Sequence, residues 1–400
     1  MSTTTNPAAN GGPANTDDAI RAGDAPPIRF GEEQAMLLES AAAFAREQST
    51  VADVRRRMEM PDGFEPALWR RVVELGWPGI AVPERFGGSG LTLAEVATVA
   101  EPMGRHLMAT PFGSTQQFAQ ALLAGGSAAL QAEWLPRVCE GAIGTVALFE
   151  ADGDWDLTRI GARAVRNGET LELSGLKTLV CDAGVADALL ASVSLDGAPA
   201  LVLVPREALG EARLRRDTVI DETRRAFDVT LDGVRVPAAA AITGEAALVA
   251  LAMIRACALL IASAEAAGGI AGVLDVVVPY LNTRAAFGRK IGGYQALKHG
   301  CAEMLVGLER SRSHVAHAAT VIAARGDAEV ALRMAKVEAC EGLLFAGDRA
   351  VQFHGGFGFT WDCDAQLYLR RALWLQSLHG DAAHHRARLA DRLLGEVAPA

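Results

Sequence analysis

The chain has no CxxC pair, and its six cysteines, at 139, 181, 257, 301, 340 and 363, fall at no metal-ligand spacing. That excludes a zinc ribbon and a disulfide scaffold, and it leaves scattered thiols of the kind found in a reduced, cytoplasmic protein. No GxGxxG and no Walker sequence occurs, so the two common phosphate-cradling fingerprints are missing. Positive charge is in short supply, with 38 Lys and Arg against 48 Asp and Glu and a net charge of −10. Such a balance argues against a nucleic-acid partner or an anionic membrane surface, so any anionic ligand needs a local basic site. The first residues, STTTNPAANGGPANTDDA, have neither the apolar stretch of a secretory signal nor the arginines of a transit peptide. Their composition predicts a disordered tail over 1–28. Residues 246–264 are apolar and Ala-rich, but Arg255 interrupts them and Gly268 and Gly269 follow closely, which predicts a buried helix and not a membrane span.

What is present is half apolar and only 22% charged over 400 residues, enough for several domains around a sizeable core. From Phe30 to about Ile143 apolar residues recur at three- and four-residue spacing, as in EEQAMLLESAAAFAREQ and ALWRRVVELGW, which predicts helices. Gly87, Gly88 and Gly90 interrupt that run, and Thr92 with Glu95 has the form of a capping box. The glycine cluster reads first as a tight interhelix loop, with a ligand-approach loop as the alternative. From about Gly144 the chain turns to short runs such as TVALFE, ARAV, ETLELSG, ALLASVS, ALVLVP, AFDVTLD and VRVP. Asn167-Gly168, Asp196-Gly197 and Asp232-Gly233 punctuate them as hairpins or turns, without the strand–helix alternation of a nucleotide-binding sheet. From Ala239 the pattern is helical again, with long helices expected at about 244–284, 294–324, 328–352 and 364–394, a four-helix bundle. The expected domains are therefore 29–144, helical; 145–238, β; and 239–400, helical. The pairs His314/His317 and His384/His385 lack companions for a metal site and read as helix-surface residues.

One stretch carries chemistry. In TRAAFGRKIGGYQ, 283–295, Arg284 stands at a helix end, Gly288, Gly292 and Gly293 form the connection, and Gln295, Lys298 and His299 open the next helix. A fixed cation beside a Gly-rich turn and a helix N-terminus suits a diphosphate. Further on, QFHGGFGFTWD supplies Gly355, Gly356 and Gly358 where the backbone could approach a ligand closely.

These motifs, with LGWPGIAVPERFGGSG (75–90), LSGLKTLVCDAGVADALLA (173–191) and YLRRA (368–372), resemble the acyl-CoA dehydrogenase family of flavoenzymes over nearly everything after the tail. The resemblance implies an α+β multidomain fold, with an α-helical N-terminal domain, a middle β-barrel and a C-terminal four-helix bundle. It implies FAD at subunit interfaces and α,β-dehydrogenation of an acyl-CoA thioester, with electrons passed to an electron-transfer flavoprotein. It assigns Arg284 to the FAD diphosphate and Phe287 and Gln295 to the adenosine part. Gln352, Gly355 and Gly356 match a diphosphate-contacting segment contributed by the neighbouring subunit, in which His354 also stands.

The chain departs from the family at its reaction centre. The family base, a glutamate before a glycine on the last helix, aligns with His379 before Gly380, and the alternative glutamate position on the long helix aligns with Ala258. The family loop of TEPGAGSD type reads FEADGDWD at 149–156, with Phe149 and Trp155 in place of a threonine and a serine, while Lys177 is retained. Three readings are open. The first is a dehydrogenase, as a homotetramer, using His379 as base, with Asp381 a weaker candidate. The second is the base-lacking subunit of an α2β2 heterotetramer with a homologous chain. The third is a flavin monooxygenase or oxidase, or a non-catalytic protein, on the same fold.

Overall fold

The computed structural model describes residues 31–61, 63–210 and 213–395; the tail expected over 1–28 lies outside the described residues. Helices α1 (Glu32–Gln48), α2 (Val51–Glu59), α3 (Pro66–Glu74), α4 (Leu93–Arg105), α5 (Phe112–Gly125) and α6 (Ala128–Cys139) form the first block. Thr92 caps α4: its hydroxyl accepts from the Ala94 N–H, and Glu95 accepts from the Thr92 N–H at 2.8 Å. The glycine cluster before it is a backbone-on-backbone connection. Ser89 N–H donates to Gly79 O and Gly90 N–H to Val82 O, and a Cβ on Gly88 would lie 2.0 Å from Val82 O. The tight-loop reading therefore has a steric reason.

The β block has two sheets. In the larger, β10 (Ala241–Ile242), β6 (Ala198–Pro205), β5 (Ala188–Leu195), β2 (Arg163–Asn167), β3 (Thr170–Ser174) and β9 (Val234–Pro237) lie in that order, and β1 (Gly144–Ala147) runs parallel to β5. The smaller has the order β4 (Leu176–Cys181), β8 (Ala226–Thr230), β7 (Leu214–Arg216); β4 and β7 fall outside the strand-like runs read from the sequence. Asp196-Gly197 is a two-residue hairpin turn between paired strands, and Asn167-Gly168 marks a second hairpin shifted by one residue: Asn167 pairs with Thr170, and the turn itself is Gly168-Glu169. At the first, φ is +53° at Asp196 and +81° at Gly197, the positive pair a tight primed turn needs. Asp232-Gly233 is not a hairpin; it carries the chain from the small sheet to the large one.

The last block is built on α8 (Glu245–Thr283), which packs against α4, α5, α9 (Gln295–Ala323), α10 (Glu329–His354) and α11 (Ala365–Ser377). By length and composition α8 could cross a membrane; here it is the central helix of the protein, contacted on several sides. The helix expected over 364–394 needs correction, because it breaks into α11 and α12 (Ala382–Leu394). The residues between adopt left-handed backbone at His379, φ +60°, and at Gly380, φ +108°. Asp381 then starts α12 by accepting from the His384 N–H at 2.8 Å. The periodicity is unbroken across the turn, so only these local hydrogen bonds mark it.

The three blocks meet at residues 221–225. Arg371, fully buried on α11, donates Nε to Asp221 and a terminal N–H to Thr223 Oγ1 at 2.6 Å. Arg224 donates to Glu265 of α8. Arg225 donates to the carbonyls of Met58, at 3.0 Å, and of Arg57 and Met60 around the end of α2. Burial alone would raise the Asp221 carboxyl, but Arg371, the Thr223 hydroxyl and Arg224 outweigh it and hold it below the usual carboxylate range. Breaking a buried pair by removing one partner strands the other charge. Arg371→Met is expected to lower stability by about 3–5 kcal/mol, read from the urea midpoint of the purified protein.

Candidate active site and cofactor cleft

Two clefts concern the chemistry. The first lies where the end of α8 meets the end of α10. Arg284 is the C-cap of α8, its backbone N–H on Tyr280 O at 2.9 Å. The chain then forms a short hairpin, Ala285–Ala286 against Arg289–Lys290, whose turn residues Phe287 and Gly288 both have positive φ. Opposite, α10 ends at His354, followed by Gly355 at φ +62°. Together Tyr280, Arg284, Gln352, His354, Gly355 and Gly356 help to wall a cleft of about 560 Å³. A Cβ on Gly355 or Gly356 would meet no atom of the described residues within 4 Å, so the backbone there is open to a ligand. His354 Nδ1 lies 2.7 Å from Ala350 O and its ring stacks on Tyr280 at 4.1 Å. Tyr280 is a wall residue the sequence did not single out; it sits one helical turn before Arg284, the only signal available.

The predicted residues thus divide. Arg284, Gln352, Gly355 and Gly356 line one cleft, within a single chain. Phe287 and Gln295 are not among the walls of this cleft: Phe287 is 96% exposed, and Gln295, Lys298 and His299 are exposed at the start of α9. Phe357, Phe359 and Trp361 are also partly to largely exposed beside the glycines.

The second cleft, about 710 Å³, is lined by Trp155, Arg255, Glu329, Arg333, His379, His384 and Arg388 among others. His379 is buried, its ring 5.1 Å from Phe149 in an edge-on contact, and Trp155 lies 5.3 Å from His384. So the two departures in the 149–156 loop touch the α11–α12 segment. The loop's root is fixed by Lys177, fully buried, whose Nζ donates to Glu150 at 2.6 Å and Ser192 at 2.9 Å. Glu150 also accepts from the N–H groups of Gly161 and Ala162 at 2.8 and 2.9 Å.

Under the His379 turn lies a second buried lysine. Lys336 Nζ donates to Leu375 O at 2.7 Å, Gly380 O at 3.1 Å and Gln376 O at 3.4 Å. It thereby satisfies carbonyls that the end of α11 would leave orphaned, at the negative end of the helix dipole. Burial first, and then the Lys336 charge, push the His379 imidazole down to about 3. It is neutral at any ordinary pH, and its affinity for a proton is small. Asp381 is engaged as the α12 cap, and Ala258 is 3% exposed in α8 and has no titratable group. His385 corrects the surface reading: it is fully buried, with Arg333 donating to its Nδ1 at 2.9 Å, and burial pushes it down to about 3 as well.

Comparison with known proteins agrees with this layout. Residues 31–142 match the acyl-CoA dehydrogenase N-terminal domain and residues 244–394 its C-terminal domain. The chain belongs to the acyl-CoA dehydrogenase family. It is 32% identical to the acyl-CoA dehydrogenase IpdE2 of Mycolicibacterium smegmatis over 362 residues, 90% of this chain and 98% of that protein. Among solved structures, a variant of the Tcur3481-Tcur3483 steroid ACAD superimposes with a TM-score of 0.81 at 29% identity, covering 91% of this chain and 98% of that one. The ChsE4-ChsE5 complex from Mycobacterium tuberculosis does so with 0.83 at 25%, covering 93% and 100%. As an acyl-CoA dehydrogenase the protein is an oxidoreductase, and its cofactor is FAD. The first cleft fits that group, since Arg284 offers charge-assisted hydrogen bonds to a diphosphate and the two open glycines admit it.

In whichever assembly retains the cofactor, Arg284→Gln is expected to weaken FAD retention by at least about tenfold, measured by equilibrium dialysis, with the fold unchanged by circular dichroism. Because His379 is held below its unfolded value, its contribution to stability is complete above about pH 6.5 and is lost as pH falls toward 3. His379→Gln should therefore flatten the fall of unfolding free energy between pH 6 and 4 by up to one proton, about 1.4 kcal/mol per pH unit.

Proposed function

We propose that this chain is the base-lacking subunit of a heteromeric, FAD-dependent acyl-CoA dehydrogenase that works with a homologous, carboxylate-bearing chain. The observation that carries this reading is the neutral His379, which stands on the Lys336-held turn with no carboxylate at either position the family uses. An acyl thioester is a weak carbon acid, and an imidazole that titrates near 3 is a poorer proton acceptor than a carboxylate. Further support comes from the resemblance to two solved structures that carry paired names, one of them a steroid dehydrogenase. The intact Arg284–Gln352–Gly355 cleft gives the chain a retained task in holding cofactor. The exposed Phe287, Phe357, Phe359 and Trp361 offer an apolar border for the partner chain.

On this reading FAD, when bound, supplies a hydride acceptor for the β-hydrogen of the thioester. Arg284 neutralises diphosphate charge, Gly355 and Gly356 let the backbone approach it, and Lys336 and Lys177 keep the two faces of the second cleft in place. The partner's base removes the α-proton, and the electrons leave to an electron-transfer flavoprotein. The six unpaired cysteines suit a reducing, cytoplasmic setting.

Purifying the chain alone, and again with a homologous chain encoded beside it, tests the reading. Expected is little flavin and no dehydrogenation of acyl-CoA by the chain alone, with both restored in the mixed assembly. A homotetramer that holds one FAD per chain, oxidises an acyl-CoA, and loses that activity on His379→Ala would overturn it. In the mixed assembly, His379→Ala is expected to leave kcat within about twofold.

A further inference from the structure

A small, partly open cavity lies away from both clefts, where the α4–α5 connection meets the β block. Its walls include Thr110 and Pro111, the turn of Asp182, Gly184 and Val185 after β4, and Thr223 and Arg224. Its volume is about 20 Å³, room for one water-sized group. Two polar atoms of its lining residues, Thr110 Oγ1 and Arg224 Nε, are inaccessible and have no hydrogen-bond partner among the described residues. Thr110 is 8% exposed, and Arg224 spends a terminal N–H on Glu265. Leaving a guanidinium N–H and a hydroxyl unmet in the interior costs roughly 1–3 kcal/mol each, so buried groups of this kind are almost always satisfied.

We infer that this cavity is a binding site for a single hydroxyl-type oxygen, occupied by one ordered water that links the N-terminal helices to the β block. The chemistry selects that occupant. The oxygen must accept from Arg224 Nε–H and exchange a hydrogen bond with Thr110, while Asp182, whose carboxylate accepts the Ser114 hydroxyl at 2.6 Å, lines the same space. A water can accept from the guanidinium and donate to a carboxylate at once. A carbonyl oxygen cannot donate, a phosphate or carboxylate is too large for the volume, and a methyl group would leave both orphans unmet. The water thus completes the junction on its N-terminal side, next to the Arg224–Glu265 pair that ties the β block to α8. The inference does not depend on which chain supplies the catalytic base.

A crystal structure of the full chain with its cofactor, at a resolution that shows waters, tests the site directly. One oxygen within about 3.2 Å of both Thr110 Oγ1 and Arg224 Nε is expected; empty density there, or a side chain turned in to fill it, would overturn the inference. In solution, Thr110→Val removes one partner at nearly constant volume and is expected to lower Tm by about 1–4 °C, whereas Thr110→Ser, which keeps the hydroxyl, should recover most of the loss. Equal Tm values for the Val variant and the parent would count against a hydrogen-bonded occupant, as would a Ser variant no more stable than Val.

Discussion

The buried ion pair between Arg371 and Asp221 is the constraint on which the arrangement rests. Neither group is exposed to bulk solvent: Arg371 is inaccessible and Asp221 nearly so. Each therefore depends on the other and on Thr223. Because Arg371 belongs to α11 and Asp221 to the β block, satisfying the charges requires the bundle and the sheets to meet in one geometry. Arg224 and Arg225, next in the chain after Thr223, add Glu265 of α8 and the carbonyls near the end of α2. Five residues of irregular chain thereby tie three structural blocks together, and burial makes the tie demanding, since any partner displaced leaves a charge in a medium that cannot solvate it. The same segment borders the small polar cavity, so hydration and ion pairing are parts of one junction.

Holding α11 in this way also positions the turn at its end. The helix stops over Lys336, whose ammonium answers three carbonyls and forms no ion pair with a carboxylate among the described residues. A cation without a counter-anion under the 379 position suits a carboxylate there, as most of the family carries; with imidazole in its place the same cation suppresses protonation. The 149–156 loop has changed as well, because Phe149 and Trp155 now meet His379 and His384. At the cofactor cleft nothing comparable has happened: Arg284, Gln352 and the open glycines still converge. Retention at one site and loss at the other fits a chain whose cofactor role has outlasted its role in proton transfer.

Much of this was legible in the sequence, for physical reasons. Apolar periodicity separated helical from β blocks; Asp196-Gly197 marked a hairpin because few residue pairs accept positive φ in succession, and at Asn167-Gly168 the glycine alone supplies it. Thr92 and Glu95 announced a helix start because the capping box is local. Arg284 and Gly355 stood out by type, one a fixed charge and the other a missing side chain. The break after Ser377 was missed because the apolar pattern runs on through it; its local marks are Gly380, at φ +108°, and the Asp381 cap, while the Lys336 bonds that support it come from 39 positions before their nearest acceptor. His385 looked like a surface residue because nothing nearby in sequence shows that Arg333 would cover it. Phe287 and Gln295 were placed correctly on their turn and helix but away from the cleft walls, which sequence distance to Arg284 could not reveal.

The sequence by itself determined the order of the blocks, the helix that forms the centre, the residue types available for a diphosphate, and the absence of a glutamate at 258 and 379. Those are properties of local pattern and of residue identity. Tertiary structure alone decided that Arg284 and Gln352, far apart in the chain, share one cleft, that His379 is buried above a lysine and is a feeble base, and that Arg371 finds Asp221. These depend on desolvation and on charges brought close by folding. Both vary with distance in space, and the linear order of residues does not contain that distance.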